Sequence, residues 1–425
     1  MIDINLVREK PEVIVKDLKK RGMDDKISWF EEIRQMDADW RNLKLRVDEL
    51  RHSRNSVSRE IAAAKKEGKD TKEMMKRAAE IPKRLEEIEQ KKIEIEKEIR
   101  SRLMNMPNIL HESVPIGRSD EDNKEVRKVG KKPKFSFKLK SHVDLIEELG
   151  LADFARAGKI SGARFYFLKG DLVLLDLALI KYALDFMVKK GFTPVIPPFM
   201  MNRKSYEGVV DLSDFENVMY KIENEDLYMI ATSEHPLTAQ YIGELLEEEM
   251  LPMKLTGFST NFRKEAGSHG KDTKGIFRVH QFNKVEQIII CKPEDSLKFH
   301  EELIKNAEEF FESLGLHFRT VNVCTGDIGT VAAKKYDIEV WYPVQNAYRE
   351  VVSCSNCTDY QARRLGIRFR AKEANITPHT LNATCVATSR ALAAIIENFQ
   401  QKDGSVKIPK VLVPYMNSQK VIGKK

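Results

Sequence analysis

Residues 262–286 read FRKEAGSHGKDTKGIFRVHQFNKVE, the most informative stretch of the chain. Two runs with strand-like alternation, 254–262 and 277–291, flank a charged, glycine-containing segment, which predicts an antiparallel hairpin closed by a long polar loop. Side chains alternate between the faces of a strand, so Arg278, His280, Phe282, Lys284 and Glu286 should share one face, and Arg263 and Glu265 a face of the partner strand. An ordinary half-buried strand would carry aliphatic residues there. Two arginines, a ring and two carboxylates suit a nucleotide: guanidinium forks grip phosphates, a ring is a platform for a base, and a carboxylate pairs with an amine. The competing reading is an exposed ion-pair lattice, common on surfaces and energetically weak.

Around this hairpin, from about Ser141 onward, helical stretches alternate with strand-like runs such as 338–341. The expected class is α+β with an antiparallel sheet flanked by helices, because hairpin-like pairs stand where βαβ repeats would otherwise be. Upstream, Ile33, Met36, Trp40, Leu43, Val47 and Leu50, then after Arg54, Val57, Ile61 and Ala64, follow steps of three and four, a heptad seam. Gly68-Lys69-Asp70 breaks it. A second seam runs through Met74, Ala78, Ile81, Leu85, Ile88, Ile95 and Ile99, with Pro82 discordant. The pair predicts an antiparallel helical hairpin of roughly 35 residues a side, an arm of about 50 Å. Residues 51–77 hold nine Lys+Arg against four Asp+Glu, a net +5 (9 − 4) at the distal half. That charge reads either as a solvated coiled-coil or dimerisation rod or as a lever carrying cations to a phosphate backbone.

The 425 residues call for two or three domains, and 72 Lys+Arg against 65 Asp+Glu give a slightly basic +7 (72 − 65). That balance permits a nucleic-acid partner without proving one. Five unevenly placed cysteines suit a reducing compartment rather than a disulfide framework. The first residues lack an apolar export core, and the most apolar stretch, 172–188, is interrupted by Asp176, Lys181 and Asp185, so a cytoplasmic protein outside the membrane is expected. The expected division is an N-terminal domain over 1–110 with its arm at about 29–103, a basic linker over 111–140, and a catalytic domain over 141–425. Residues 124–140 carry eight Lys+Arg to one Glu.

The 262–286 stretch resembles motif 2 of the seryl-tRNA synthetases, within the class II aminoacyl-tRNA synthetases, over its whole length. GFTPVIPP at 191–198 is similar to motif 1, whose proline, here Pro198, sits at the dimer interface of the class. TCVATSRALAAIIENFQ at 384–400 is similar to motif 3, with Arg390 at the motif arginine. The likeness runs from the arm to about Pro414. It implies the class II synthetase fold, a homodimer, ATP and Mg²⁺ as cofactors, and a ligase that joins L-serine to tRNA(Ser), with tRNA(Sec) as an alternative acceptor.

By motif position the resemblance implies that Arg263 holds the α-phosphate, that Arg278 and Arg390 hold the outer phosphates of a bent ATP, and that these three cations are catalytic. Phe282 would stack on adenine against Arg390, with Glu265, Lys264 and Val279 beside the nucleotide. Glu350, Val351, Val352 and Ser353 match positions that bind ATP, with Mg²⁺ on Glu350 and Ser353. Thr232, Ser233 and Glu234 resemble the serine-recognition loop, Glu286 the acceptor for the serine amino group, and Asn382 and Thr384 the side-chain pocket, with Arg263 reaching the serine carboxylate. On the arm, Arg51, Arg54, Arg59, Lys65, Lys66, Lys69, Lys72, Lys76 and Arg77 would meet the tRNA. A pocket that hydrogen-bonds the serine hydroxyl rejects alanine, since its buried polar groups would otherwise stay unpaired.

Cys354 and Cys357 form a single CxxC without a second ligand pair, so packing or site-lining thiols are expected rather than zinc. Gly326-Asp327-Ile328-Gly329 reads as a turn. Two rivals differ in kind: a ligase that loads a carrier protein, whose relatives lack a long basic arm, and an inactive scaffold, which would not need the cations at 263, 278 and 390.

Overall fold

The computed structural model describes residues 1–211, 215–266 and 274–423, the side chains of 215 and 216 excepted. The tip of the expected polar loop, residues 267–273, lies outside the described residues. The chain divides into one unit of Ile2–Met106 and another of Met1 with Pro107–Lys425.

In the first unit, two short helices, Ile4–Glu9 and Pro11–Arg21, precede the antiparallel pair Asp25–Lys66 and Lys72–Met104. The heptad residues pack between the long helices: Ile33, Val47, Val57, Ala64, Ile81 and Ile99 are buried. Arg51 bonds Glu89 at 2.7 Å across the pair, and Trp40 donates to Glu96 at 3.4 Å, which fixes the register. Gly68 makes the turn at φ +68. The arm is unequal, 42 and 33 residues rather than about 35 each, so its longer helix spans about 63 Å. Pro82 does not end its helix. It costs one backbone bond on the exposed side, while Ile81 and Leu85 beside it stay in the seam.

The second unit is built on an eight-stranded sheet. In chain order its strands are β1 (Lys124–Val129), β2 (Thr193–Val195), β3 (Met253–Phe262), β4 (Gln281–Cys291), β5 (Phe318–Asn322), β6 (Lys334–Tyr342), β7 (Ala347–Asn356) and β8 (His379–Ala387). Their spatial order is β1-β5-β6-β7-β8-β4-β3-β2, antiparallel except for the parallel pair β2–β3. Residues 111–140, read above as linker, therefore contribute an edge strand, β1, which pairs with β5.

One face of the sheet is apolar. Tyr336, Ile338, Val340 and Tyr342 of β6, with Val285, Ile289 and Cys291 of β4, pack into a core shared with helices Asp171–Lys189, Ser296–Ser313 and Thr388–Asn398. Strand alternation then sends Lys335, Asp337 and Glu339 of β6 and Phe282, Lys284 and Glu286 of β4 to the opposite face. That face carries the site.

Candidate active site

The sheet's polar face floors a cavity of about 450 Å³. β3 and β4 bring in the hairpin cations, β7 supplies Glu350, Val351 and Ser353, β8 supplies Asn382 and Thr384, and the N-terminal end of helix Thr388–Asn398 supplies Arg390. Arg263 donates through Nε and Nη2 to the Ala231 carbonyl, both at 3.3 Å, and its Cζ lies 5.3 Å from the centre of the Phe282 ring. Arg278 Nη1 donates to Glu265 Oε2 at 2.9 Å, while its buried Nε has no partner among the described residues. Arg390 Nη1 donates to the Glu350 carbonyl at 2.8 Å and lies 3.4 Å from Glu350 Oε1. Three guanidiniums thus share one chamber with donors free or weakly engaged, an arrangement that costs desolvation and is repaid by anions.

The acidic groups sit in two sets. Burial would push Glu350 up, but Arg390, Lys335 and Arg263 together hold it below the usual carboxylate value. At the other end, burial pushes Glu234 up to about 7, with Glu286 adding repulsion and a hydrogen bond from Gln361 opposing it. Burial also raises Glu286, against the pull of Lys284. Lys284 Nζ stands 2.5 Å from Glu286 Oε2, a close ion pair within the cavity wall. Cations and an ionised carboxylate at one end, with two acceptors for an ammonium group at the other, fit a triphosphate beside a zwitterion.

Two family models match the chain: the seryl-tRNA synthetase N-terminal domain over residues 1–110, and the tRNA synthetase class II core domain (G, H, P, S and T) over 217–399. A serine–tRNA ligase of Methanoregula boonei is 57% identical over 425 residues, covering 99% of this chain and 100% of the relative. The chain belongs to the seryl-tRNA synthetase family. A serine–tRNA ligase of Pyrococcus abyssi is 52% identical over 99% of the chain and 98% of its own length. Among solved structures, the seryl-tRNA synthetase of Pyrococcus horikoshii complexed with ATP superposes with a TM-score of 0.97 at 50% identity, each chain fully covered. The cytoplasmic serine–tRNA ligase of Naegleria fowleri in complex with AMP gives 0.91 at 36% identity, covering 100% of this chain and 99% of that one. The carrier-loading and scaffold readings have no place beside relatives of this name and extent.

Most residues expected from the family's motifs line the cavity: Arg263, Glu265, Arg278, Val279, Phe282, Glu286, Glu350, Val351, Ser353 and Arg390, with Thr232, Glu234, Asn382 and Thr384. Ser233 does not; it is buried and donates to the Gly257 carbonyl at 3.1 Å. Val352 packs into the core on the other face, and Lys264 stands outside the lining. Arg278 and His280 precede β4 rather than lie on it. Ile276, Phe277 and Val279 are all buried, so this segment wraps the wall instead of alternating. The guanidinium opposite Phe282 is that of Arg263, because Glu350 holds Arg390 over Phe277, 5.3 Å from the ring centre.

The residues fit Mg²⁺. Glu350 and Ser353 both face the chamber, and among the described residues no three His, Cys, Asp or Glu side chains cluster as a complete metal cage. Mg²⁺ is commonly bound by one or two protein groups with phosphates and water completing its shell. Lys284, placed by alternation on the hairpin face, lines the cavity, whereas Lys335 was not expected there. The alternation of KKYDIEVW was the available signal for Lys335. Ile328 and Gly329 also reach the lining, so the 326–329 turn is part of the wall.

Proposed function

We propose that this chain activates L-serine with ATP and passes the seryl group to the 3′-terminal adenosine of tRNA(Ser). The observation that carries this reading is the convergence of Arg263, Arg278 and Arg390 with Glu286, Asn382 and Thr384 in one cavity. A serine carboxylate oxygen attacks the α-phosphorus, the bond to the β-bridging oxygen breaks, and pyrophosphate leaves. The ribose hydroxyl of tRNA then attacks the acyl carbon and AMP leaves. No protein nucleophile is needed. Arg263 is placed to screen the carboxylate from the α-phosphate, Arg278 and Arg390 to hold the outer phosphates, and Phe282 to offer its ring to adenine. Bound at Glu350 and Ser353, Mg²⁺ would supply further charge neutralisation. Aligning the two reactants contributes on the order of 7–11 kcal/mol in favourable intramolecular cases.

Glu286 accepts the serine ammonium group in this reading, while Asn382 and Thr384 take the hydroxyl. The Glu286→Ala variant is therefore expected to raise the serine KM in pyrophosphate exchange by roughly 10- to 100-fold, the value of a hydrogen bond to a charged group, with the ATP KM little changed. An unchanged serine KM would remove Glu286 from the pocket.

The arm supplies the tRNA contact. All nine cations between 51 and 77 are exposed, and Arg54, Lys65, Lys66, Lys72, Lys76 and Arg77 make no ion pair among the described residues. Such an arm suits an RNA backbone read by shape, with salt-sensitive affinity. A homodimer is favoured by an exposed apolar strip: Leu177 is 54% and Ile196 71% exposed, with Leu174, Val188 and Met200 open and Pro198 exposed. A division into a tRNA-binding domain over 1–110 and a catalytic domain from about 141 follows these roles. No helix among the described residues is long and apolar enough to cross a membrane, and a cytoplasmic location fits an enzyme that meets tRNA, ATP and serine.

A further inference from the structure

Gln361 lies on the short helix Tyr360–Leu365, outside the cavity lining and only 1% exposed. Its amide is fully engaged. Nε2 donates to the Val209 carbonyl at 3.0 Å and to Glu234 Oε1 at 2.9 Å, and Oε1 accepts from the Thr380 hydroxyl at 2.7 Å. A carbonyl oxygen can only accept, so the nitrogen must face Val209; turning the amide over would set its oxygen against that carbonyl and the Glu234 carboxylate. The orientation is thus fixed by three partners from three separate segments. Thr380 is itself held, since its backbone N–H donates to Thr358 and its carbonyl accepts from Cys357.

Glu234 is the cavity group that this amide reaches. A serine ammonium group has three protons to place, and Glu286 is already shared with Lys284. We propose that Gln361, braced by Thr380, is a positioning residue for amino-acid recognition: it holds Glu234 beside Glu286 as a second acceptor aimed at the substrate's ammonium group. A donor fixed on Oε1 also favours the ionised carboxylate that an ammonium group requires, against the burial that raises Glu234. This inference rests on the reading of the cavity as a serine site.

The test is serine- and ATP-dependent pyrophosphate exchange with the full chain. Gln361→Met is expected to raise the serine KM roughly 10- to 100-fold, as for one lost hydrogen bond to a charged group, with the ATP KM unchanged and the melting temperature lowered by the buried groups left unpaired. Since Gln361→Met leaves Val209 and Thr380 unpaired, Thr380→Val provides a second probe. It should raise the serine KM in the same direction but less, while Thr380→Ser, which keeps the hydroxyl, retains the wild-type value. A wild-type serine KM in both Gln361→Met and Thr380→Val would overturn the proposal, as would parallel rises in the serine and ATP KM, which mark a merely structural role. If the unaltered chain gave no serine-dependent exchange, the reading of the cavity itself would fall, an outcome distinct from either.

Discussion

Replacing Arg263 with alanine is expected to lower serine-dependent pyrophosphate exchange by about 100- to 1,000-fold or more, the range found when one preorganised transition-state donor is removed. The fold should survive. Among the described residues the guanidinium's hydrogen bonds to protein are two long ones to a single carbonyl, Ala231, at 3.3 Å, so removing it leaves one acceptor beside a cavity that water can enter. Burial lowers the Arg263 pKa, and Glu265 raises it against that effect. A cation kept in such a place with its donors poorly used is held for an anion that arrives. A melting temperature near that of the parent together with lost exchange is the predicted pair; near-normal exchange would refute the phosphate role.

Shortening the arm is expected to give the second large effect, in the other half-reaction. Arg51 bonds Glu89 across the helix pair, so excising residues 52–88 and bridging the ends with a short flexible linker leaves a matched hairpin. The excised stretch holds eight of the nine tip cations between 51 and 77, all but Arg51. Each cation–phosphate pairing removed takes about 0.7–0.9 from the slope of log affinity against log salt, so removing several at moderate salt weakens binding by orders of magnitude. Aminoacylation should fall accordingly, with a flatter salt dependence, while tRNA-independent exchange keeps its rate. Equal loss of both activities would show that the arm supports the fold of the catalytic unit rather than RNA capture.

The arm was legible because a heptad is a local signal: three- and four-residue steps name the buried face without knowledge of any partner. Its ends were not, since residues 25–28 carry no seam position and Pro82 mimics a stop that the packed seam overrides. The hairpin face was legible from alternation in β4, but Arg278 and His280 follow the cavity wall instead of a strand. Glu350 and Ser353 illustrate the same limit. Strict alternation would put them on opposite faces, yet a bulge opposite Ile338/Glu339 admits both to the cavity. Ser233 fails in reverse, being adjacent in sequence to two lining residues while its own hydroxyl is spent on Gly257. Gln361 arrives from a segment far along the chain from the hairpin, and nothing in its local composition marks it, while Lys335 is signalled only by the alternation of its own strand.

In the proposed function one chamber folds a triphosphate against a serine zwitterion. Amino-acid-dependent exchange of labelled pyrophosphate into ATP, run with each of the twenty amino acids in turn, tests it without tRNA. Strong exchange with serine and little with alanine or the others is the predicted result; silence with all twenty, or a preference for a different side chain, would contradict it.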